Sequence, residues 1–101
     1  MGKETILDKA KRITGKDRME EYCHPKENFQ LVADFWNVFL VKRFKQRLKS
    51  GKKIKIKDKD VALMMDLFKS ARVIITNYKH LDSLVDKAGY TRNIEQILEV
   101  E

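Results

Sequence analysis

Apolar residues recur at spacings of three and four along most of the chain, which is the period at which side chains share one face of an α-helix. One proline and four glycines interrupt this pattern in few places, so the periodic segments are long. The pattern predicts one all-α domain over residues 1–101, folded as a compact bundle of about four helices. These helices are predicted to run from Glu4 to Thr14, from Pro25 to Ser50, from Asp58 to Thr76 and from Lys79 to Val100.

The second of these helices is apolar on nearly every side. A helix of this kind is buried on several faces at once. In so small a protein, this predicts either a central helix or a face that a second copy of the chain closes, so a homo-oligomer is expected. One face carries Phe29, Val32, Ala33, Trp36, Phe39 and Leu40, and the remaining faces carry Leu31, Phe35, Val38 and Val41.

The last two helices differ in the regularity of their apolar stripes. Asp58 is predicted to be the N-cap of the third helix, which directs a regular stripe at the core. The stripe of the fourth helix changes phase near Gly89, which predicts a bend there. The expected core residues of the third helix are Val61, Met64, Leu67, Phe68, Ala71 and Ile75. The stripe of the fourth helix consists of Leu81, Leu84, Val85 and Ala88, followed by Ile94, Ile97 and Leu98.

Three segments connect these helices. Residues Lys16 to His24 show neither helical nor strand periodicity and are predicted to form an ordered loop that ends before Pro25. The segment from Lys52 to Lys57 alternates lysine and apolar residues, which fits a short edge strand or a basic loop, and we favour the loop. Asn77 and Tyr78 are predicted to form a turn.

The composition indicates a folded domain with a basic surface. Apolar residues make up 43% of the chain and charged residues 37%, and a single cysteine excludes an internal disulfide. The first residues contain no apolar run, so neither a signal peptide nor a membrane span is expected, and a cytoplasmic location follows.

The net charge of +7 is concentrated in one segment. Between Lys42 and Lys59 there are ten basic residues and one acid, which indicates affinity for polyanions. The alternatives are a solvated helix end followed by a basic loop, or a nucleic-acid-binding patch made of Lys52, Lys53, Lys55 and Lys57.

Polar residues cluster in the segment before the second helix and at its start. A segment this rich in charge is often merely solvated. In the functional alternative, Arg18, His24 and Asn28 face a phosphate, or Glu27 and its acidic neighbours offer oxygen ligands to Mg²⁺.

Two further clusters lie on the last two helices. Asp82 and Asp86 are four residues apart beside His80, so they share a helical face on which they could hold a divalent ion, although an acid in a first turn also complements the helix dipole. Lys69 and Arg72 either form surface ion pairs or reach a bound phosphate. The chain has no glycine-rich phosphate loop, too few Cys and His residues for a zinc site, and no convincing Cys–His dyad.

Three stretches resemble a family of small phage and prophage proteins of uncharacterised function: GKDRMEEYCHPKENFQLVADFW, DVALMMDLFKSARV and HLDSLVDKAGY. They cover roughly residues 15 to 91, and Cys23 stands where the family usually has glycine. More distantly, the chain is similar to nucleotide-modification-associated phage proteins and to all-α nucleoside triphosphate pyrophosphohydrolases of the MazG type. The ExxE motif of those enzymes is absent here, and the second acidic pair is spaced DxxxD.

The resemblance implies a nucleotide or another phosphate-bearing ligand and a location in the host-cell cytoplasm. One alternative is Mg²⁺-dependent pyrophosphohydrolysis, and another is a non-enzymatic anti-defence protein that sequesters a nucleotide signal or inhibits a host defence protein. A third is a basic accessory protein that binds nucleic acid. The predicted phosphate ligands are Arg18, His24, Asn28, Lys69, Arg72 and His80, and the predicted metal ligands are Glu27, Asp82 and Asp86.

Overall fold

The computed structural model describes residues 2–101, except for the side chains of Lys16, Asp17 and Met19. Over this range the chain forms five helices and no strand, so the all-α class is confirmed. Four of the helices correspond to the predicted ones, and the fifth is additional. The helices are α1 (Ile6–Ile13), α2 (Lys16–Tyr22), α3 (Pro25–Lys49), α4 (Asp58–Ile75) and α5 (Leu81–Glu99).

Helix α2 is the additional one, and the prediction of a loop from Lys16 to His24 was wrong. Its seven residues make less than two full turns, so they are too few for a helical period to show in the sequence. Only Tyr22, at its end, is a buried apolar residue in the described part of this helix. The chain then turns at Cys23, and His24 begins the next helix.

Helix α3 begins where the sequence predicted. Pro25 is its first residue, and the Nδ1 atom of His24 accepts a hydrogen bond from the Lys26 N–H at 3.1 Å. The segment from Lys52 to Lys57 is an irregular loop, as predicted, and the Arg47 Nε donates to the Lys53 carbonyl at 2.6 Å. The turn at Asn77 and Tyr78 is also confirmed, with positive φ angles of 52° and 65°.

The N-terminus of α4 differs from the prediction. Lys57 occupies the N-cap position and Asp58 is already helical, so the assignment of Asp58 as N-cap was wrong. The carboxylate of Asp60 caps the helix instead. It reaches back to accept a hydrogen bond from the Lys57 N–H at 2.9 Å and a second from the Arg43 Nε at 2.8 Å.

Helix α4 lies between α3 and α5, which make almost no contact with each other. On one side, the Trp36 indole donates to the Met64 carbonyl at 2.7 Å. On the other side, the Lys87 ammonium donates to the Asp66 carboxylate at 2.9 Å. The three long helices therefore form an open layer. The whole chain, including α1 and α2, measures 57 × 28 × 25 Å, and its radius of gyration is 17.1 Å. A compact domain of this length has a radius of gyration of about 13 Å.

Helix α5 presents its two apolar stripes in different directions. The fully buried Ser83 and the inward-pointing Lys87 face α4 in its first half, and Ile94 and Ile97 are half-buried in its second half. The helix runs through Gly89 without interruption. The residues of the first stripe are exposed on the outer side: Leu81, Leu84, Val85 and Ala88.

Candidate functional site

A cavity of about 270 Å³ lies where α2 and the start of α3 meet the C-terminal half of α4. We call it the arginine cavity. Its walls combine two cations with two aromatic rings and one amide, and the residues that matter for its chemistry are Arg18, Tyr22, Asn28, Phe29 and Arg72.

Both arginines of this cavity stack against the same aromatic ring. The guanidinium carbon of Arg18 lies 5.1 Å from the centre of the Tyr22 ring, and that of Arg72 lies 4.9 Å from it. Arg72 also lies 4.5 Å from the centre of the Phe68 ring. These contacts hold the guanidinium groups over aromatic faces. The cavity therefore concentrates positive charge beside a flat apolar wall.

Two buried polar atoms at this cavity have no hydrogen-bond partner among the described residues. They are the Nε of Arg72, which is a donor, and the Oδ1 of Asn28, which is an acceptor. The Asn28 residue is only 6% exposed. Unpaired polar atoms in the interior cost free energy, so native proteins seldom retain them without a reason. A ligand that accepts from Arg72 and donates to Asn28 would satisfy both atoms.

Tyr22 is held in place by a chain of hydrogen bonds to the start of α5. Its hydroxyl lies 2.8 Å from the Nε2 of His80, and the Nδ1 of His80 lies 2.6 Å from the hydroxyl of Ser83. The carboxylate of Glu21 is 3.7 Å from the same Nε2. Burial, together with the negative charge of Glu21, raises the pKa of the Tyr22 hydroxyl above its ordinary value of 10.0. Tyr22 therefore stays neutral at physiological pH.

The raised pKa of Tyr22 predicts a loss of stability in alkali. Because the folded-state pKa of Tyr22 is raised, its contribution to stability is complete below about pH 10 and is lost as the pH rises through the folded-state pKa. We expect Tyr22→Phe to lower the free energy of unfolding at neutral pH by about 1 kcal/mol, since His80 loses a partner. The variant should also lose stability less steeply than the wild type above about pH 10. Urea titrations across this range measure both effects. Tyr78→Phe, at an exposed tyrosine, is the control, and parallel pH curves for wild type and Tyr22→Phe would contradict the assignment.

The structure brings together three of the six predicted phosphate ligands: Arg18, Asn28 and Arg72. His80 reaches the cavity only through Tyr22. Lys69 instead forms an ion pair with Asp86 at 2.8 Å, and its hydrogen bond is the main cause that lowers the pKa of the Asp86 carboxyl below its usual value. His24 is exposed and caps α3, so its ring serves the helix end.

The structure does not unite the three predicted metal ligands. Glu27 lines a separate open cleft of about 590 Å³ beside His24. Asp86 is paired with Lys69, and Asp82 is an exposed acid in the first turn of α5. Across the described residues, no three His, Cys, Asp or Glu side chains are grouped so that they could hold a metal ion. Mg²⁺ binding stays a prediction from the sequence.

The predicted nucleic-acid patch lies in the loop between α3 and α4. All four of its residues are exposed: Lys52, Lys53, Lys55 and Lys57. Of the helices that the structure describes, none has an apolar stretch long enough to cross a membrane.

Sequence reasoning underestimated the aromatic residues of the site. Tyr22 lies in a segment that was predicted to be an ordered loop, Phe29 was predicted on one face of the second helix, and Phe68 was predicted in the core. The available signal was the position of Tyr22 in the YCHP stretch of the first family-like motif, which ties it to the start of α3. Only the fold shows that this ring stacks with an arginine 50 residues away, Arg72.

Comparisons with known proteins identify phage relatives. A family model described as a domain of unknown function (DUF6378) matches residues 5–98. The chain is 40% identical over 96 residues to the Gene 55 protein of Mycobacterium phage D29, which covers 95% of this chain and 55% of that protein. It is 33% identical over 93 residues to the Gene 55 protein of Mycobacterium phage L5, and this match covers 92% of this chain and 52% of that protein. The chain thus spans about half the length of these relatives. No solved structure matches it.

Proposed function

The chain belongs to the DUF6378 family of proteins of unknown function, and we propose that it binds a small phosphate-bearing ligand of the nucleotide class in the arginine cavity. The names of its phage relatives state no ligand, so the proposal rests on the geometry of the cavity. The observation that carries it is that the Nε of Arg72 and the Oδ1 of Asn28, in two residues that line this cavity, are buried without a hydrogen-bond partner among the described residues.

The side chains that line the arginine cavity determine which chemical groups of a ligand can bind there. Guanidinium groups donate in a planar fork that suits phosphate oxygens, and two of them meet here, from Arg18 and Arg72. Phe29 adds a further apolar surface on which a base or a sugar can pack. The Oδ1 of Asn28 requires a donor, which a ribose hydroxyl or an exocyclic amino group supplies. A nucleotide carries all of these groups within one small molecule.

The same arrangement favours binding without a metal ion. The two arginines supply the positive charge that a divalent cation supplies in many phosphate sites. The carboxylates that were predicted to hold Mg²⁺ belong to other surfaces, since Asp86 is neutralised by Lys69 and Glu27 lines another cleft. We therefore propose sequestration of the ligand without turnover. A phage protein of this kind would lower the free concentration of a nucleotide signal in the host cell.

The test is a thermal-shift screen of nucleoside monophosphates, nucleoside triphosphates and cyclic nucleotides, each with Mg²⁺ and with EDTA. A ligand that binds only the folded state raises the melting temperature. We expect at least one nucleotide to raise it equally in both buffers, without release of phosphate or pyrophosphate. A shift that needs Mg²⁺ and disappears in Asp82→Ala and Asp86→Ala would instead support the pyrophosphohydrolase alternative. No shift with any nucleotide would overturn the proposal.

A substitution at Arg72 provides the site-specific prediction. We expect Arg72→Gln to weaken binding of the nucleotide by about tenfold to a hundredfold, because a hydrogen bond to a charged group is worth about 1.5–3 kcal/mol. Isothermal titration calorimetry measures the change. Arg92→Gln removes the same charge from the far half of α5, where Arg92 is paired with Glu95 and Glu99, and should leave binding unchanged. Equal weakening in both variants would indicate a general effect of net charge and contradict the assignment of the site.

A further inference from the structure

The single chain exposes far more surface than a folded monomer of its size. Its accessible surface is 7,922 Å², whereas a monomer of 11.9 kDa exposes about 6,000 Å². The excess is about 2,000 Å². A standard protein interface buries about 800 Å² on each partner, and permanent dimers bury more. Part of this excess lies on α1, in which no residue is buried, and part lies on exposed apolar residues of the long helices.

The core of the single chain is correspondingly small. Within the described residues, only five apolar side chains are buried, and two of them are alanines. The cause is the open layer, in which α4 has neighbours on two sides while the outer faces of α3 and α5 have none. The five residues are Tyr22, Val32, Ala62, Ala71 and Val73.

The first half of α5 carries a continuous exposed apolar stripe on its outer side. Its residues are spaced by three and four, so they are neighbours on the helix surface. Leu81 is 68% exposed, Leu84 45% and Val85 69%. We call the four residues Leu81, Leu84, Val85 and Ala88 the outer stripe.

Two charged residues of this segment, Asp86 and Lys87, are paired with groups on α4. Lys87 points inward to Asp66 and Ser70, at 2.9 and 2.5 Å. Asp86 is paired with Lys69 on α4. In a chain with a net charge of +7, self-association is opposed by repulsion wherever basic residues face each other. The outer stripe is a place where two copies can meet without this repulsion.

We propose that the protein is a symmetric homodimer in which the outer stripes of two copies pack against each other. A twofold axis brings the same surface of both chains together, so one self-complementary apolar stripe is sufficient. The occupant of this surface is thus a second copy of the chain. The proposal is independent of the arginine cavity, because no residue of the outer stripe lines it.

Mass measurement of the full chain tests this inference. Light scattering after size exclusion should give twice 11.9 kDa for the wild type and 11.9 kDa for Val85→Glu, because the substitution buries a charge at the centre of the interface. Val38→Glu introduces the same charge at a 75% exposed valine on α3 and should remain a dimer. A wild-type chain that is monomeric at all concentrations would overturn the proposal. So would a folded Val85→Glu that is still a dimer.

A second measurement keeps the test decisive if Val85→Glu fails to fold. A spin label on Thr91→Cys, in a Cys23→Gly background, would sit on exposed surface one turn beyond the outer stripe. Dipolar spectroscopy should then give a defined distance between the labels of the two copies. Dilution with unlabelled chain should reduce the amplitude of this dipolar signal and leave the distance unchanged. The absence of any intermolecular distance in a folded, labelled protein would overturn the proposal.

Discussion

Replacing Asp60 with alanine is expected to lower the free energy of unfolding by about 3 kcal/mol, the lower end of the cost of breaking a buried ion pair. Asp60 is 4% exposed, and its carboxylate holds together two parts of the molecule. It accepts from Arg43 on α3 and from the backbone N–H of Lys57 at the start of α4. Alanine would leave both donors without this partner. The Arg43 side chain is one-third exposed and can turn to water, which limits the loss.

The effect is large because a domain of this size has little stability to lose. A protein of about 100 residues is stable by roughly 5–15 kcal/mol. Urea unfolding followed by far-UV circular dichroism measures the change. Asp58→Ala is the matched control, since it removes another acid from the same helical turn. Within the described part of the chain, the Asp58 carboxylate accepts a hydrogen bond only from the adjacent Lys59 N–H. We expect the control to cost less than about 1 kcal/mol. Equal losses in the two variants would show that Asp60 acts only through the helix dipole.

Replacing Cys23 with glycine is expected to stabilise the protein by about 1–2 kcal/mol. The backbone of Cys23 has φ 64° and ψ −173°, a region that is essentially restricted to glycine. Holding a side chain there costs about 1–3 kcal/mol, from which the greater flexibility of glycine in the unfolded chain must be subtracted.

Thermal unfolding under reducing conditions measures this gain, with an expected rise of about 4–8 °C in melting temperature for each kcal/mol. Cys23→Ala is the control, because alanine keeps the Cβ atom and therefore the strain. It should not be more stable than the wild type. If Cys23→Gly proved no more stable than Cys23→Ala, the strain assigned to the Cβ atom at this turn would be contradicted.

The parts of the fold that the sequence predicted are those with long, regular periods. Helices α3 and α4 span many turns, so their periodicity is unambiguous, and His24 and Pro25 mark the start of α3. Helix α2 was not predicted because its seven residues are mostly polar and too few to show a helical period. The first stripe of α5 was recognised but its exposure was not, because periodicity shows which residues share a face and not whether a neighbour covers that face.

The site was predicted only in part for a similar reason. Arg18, Asn28 and Arg72 could be selected by residue type and by the family-like motifs, but their convergence depends on how α2 folds against α4. The acidic residues could be aligned along one helix, whereas the partner of Asp86 lies on another helix, at Lys69. Spacing within a helix cannot reveal a neutralising partner on another helix, so Asp86 was predicted as a metal ligand although it forms an ion pair.

The central position of α4 has a consequence for how the sequence can vary. Helices α3 and α5 make almost no mutual contact, so a substitution in one changes the packing of the other only through α4. The two outer helices can therefore diverge separately, each adjusting to its own side of α4. Helix α4 has to stay complementary to two neighbours at once, which makes it the segment of the layer where the fewest substitutions are acceptable.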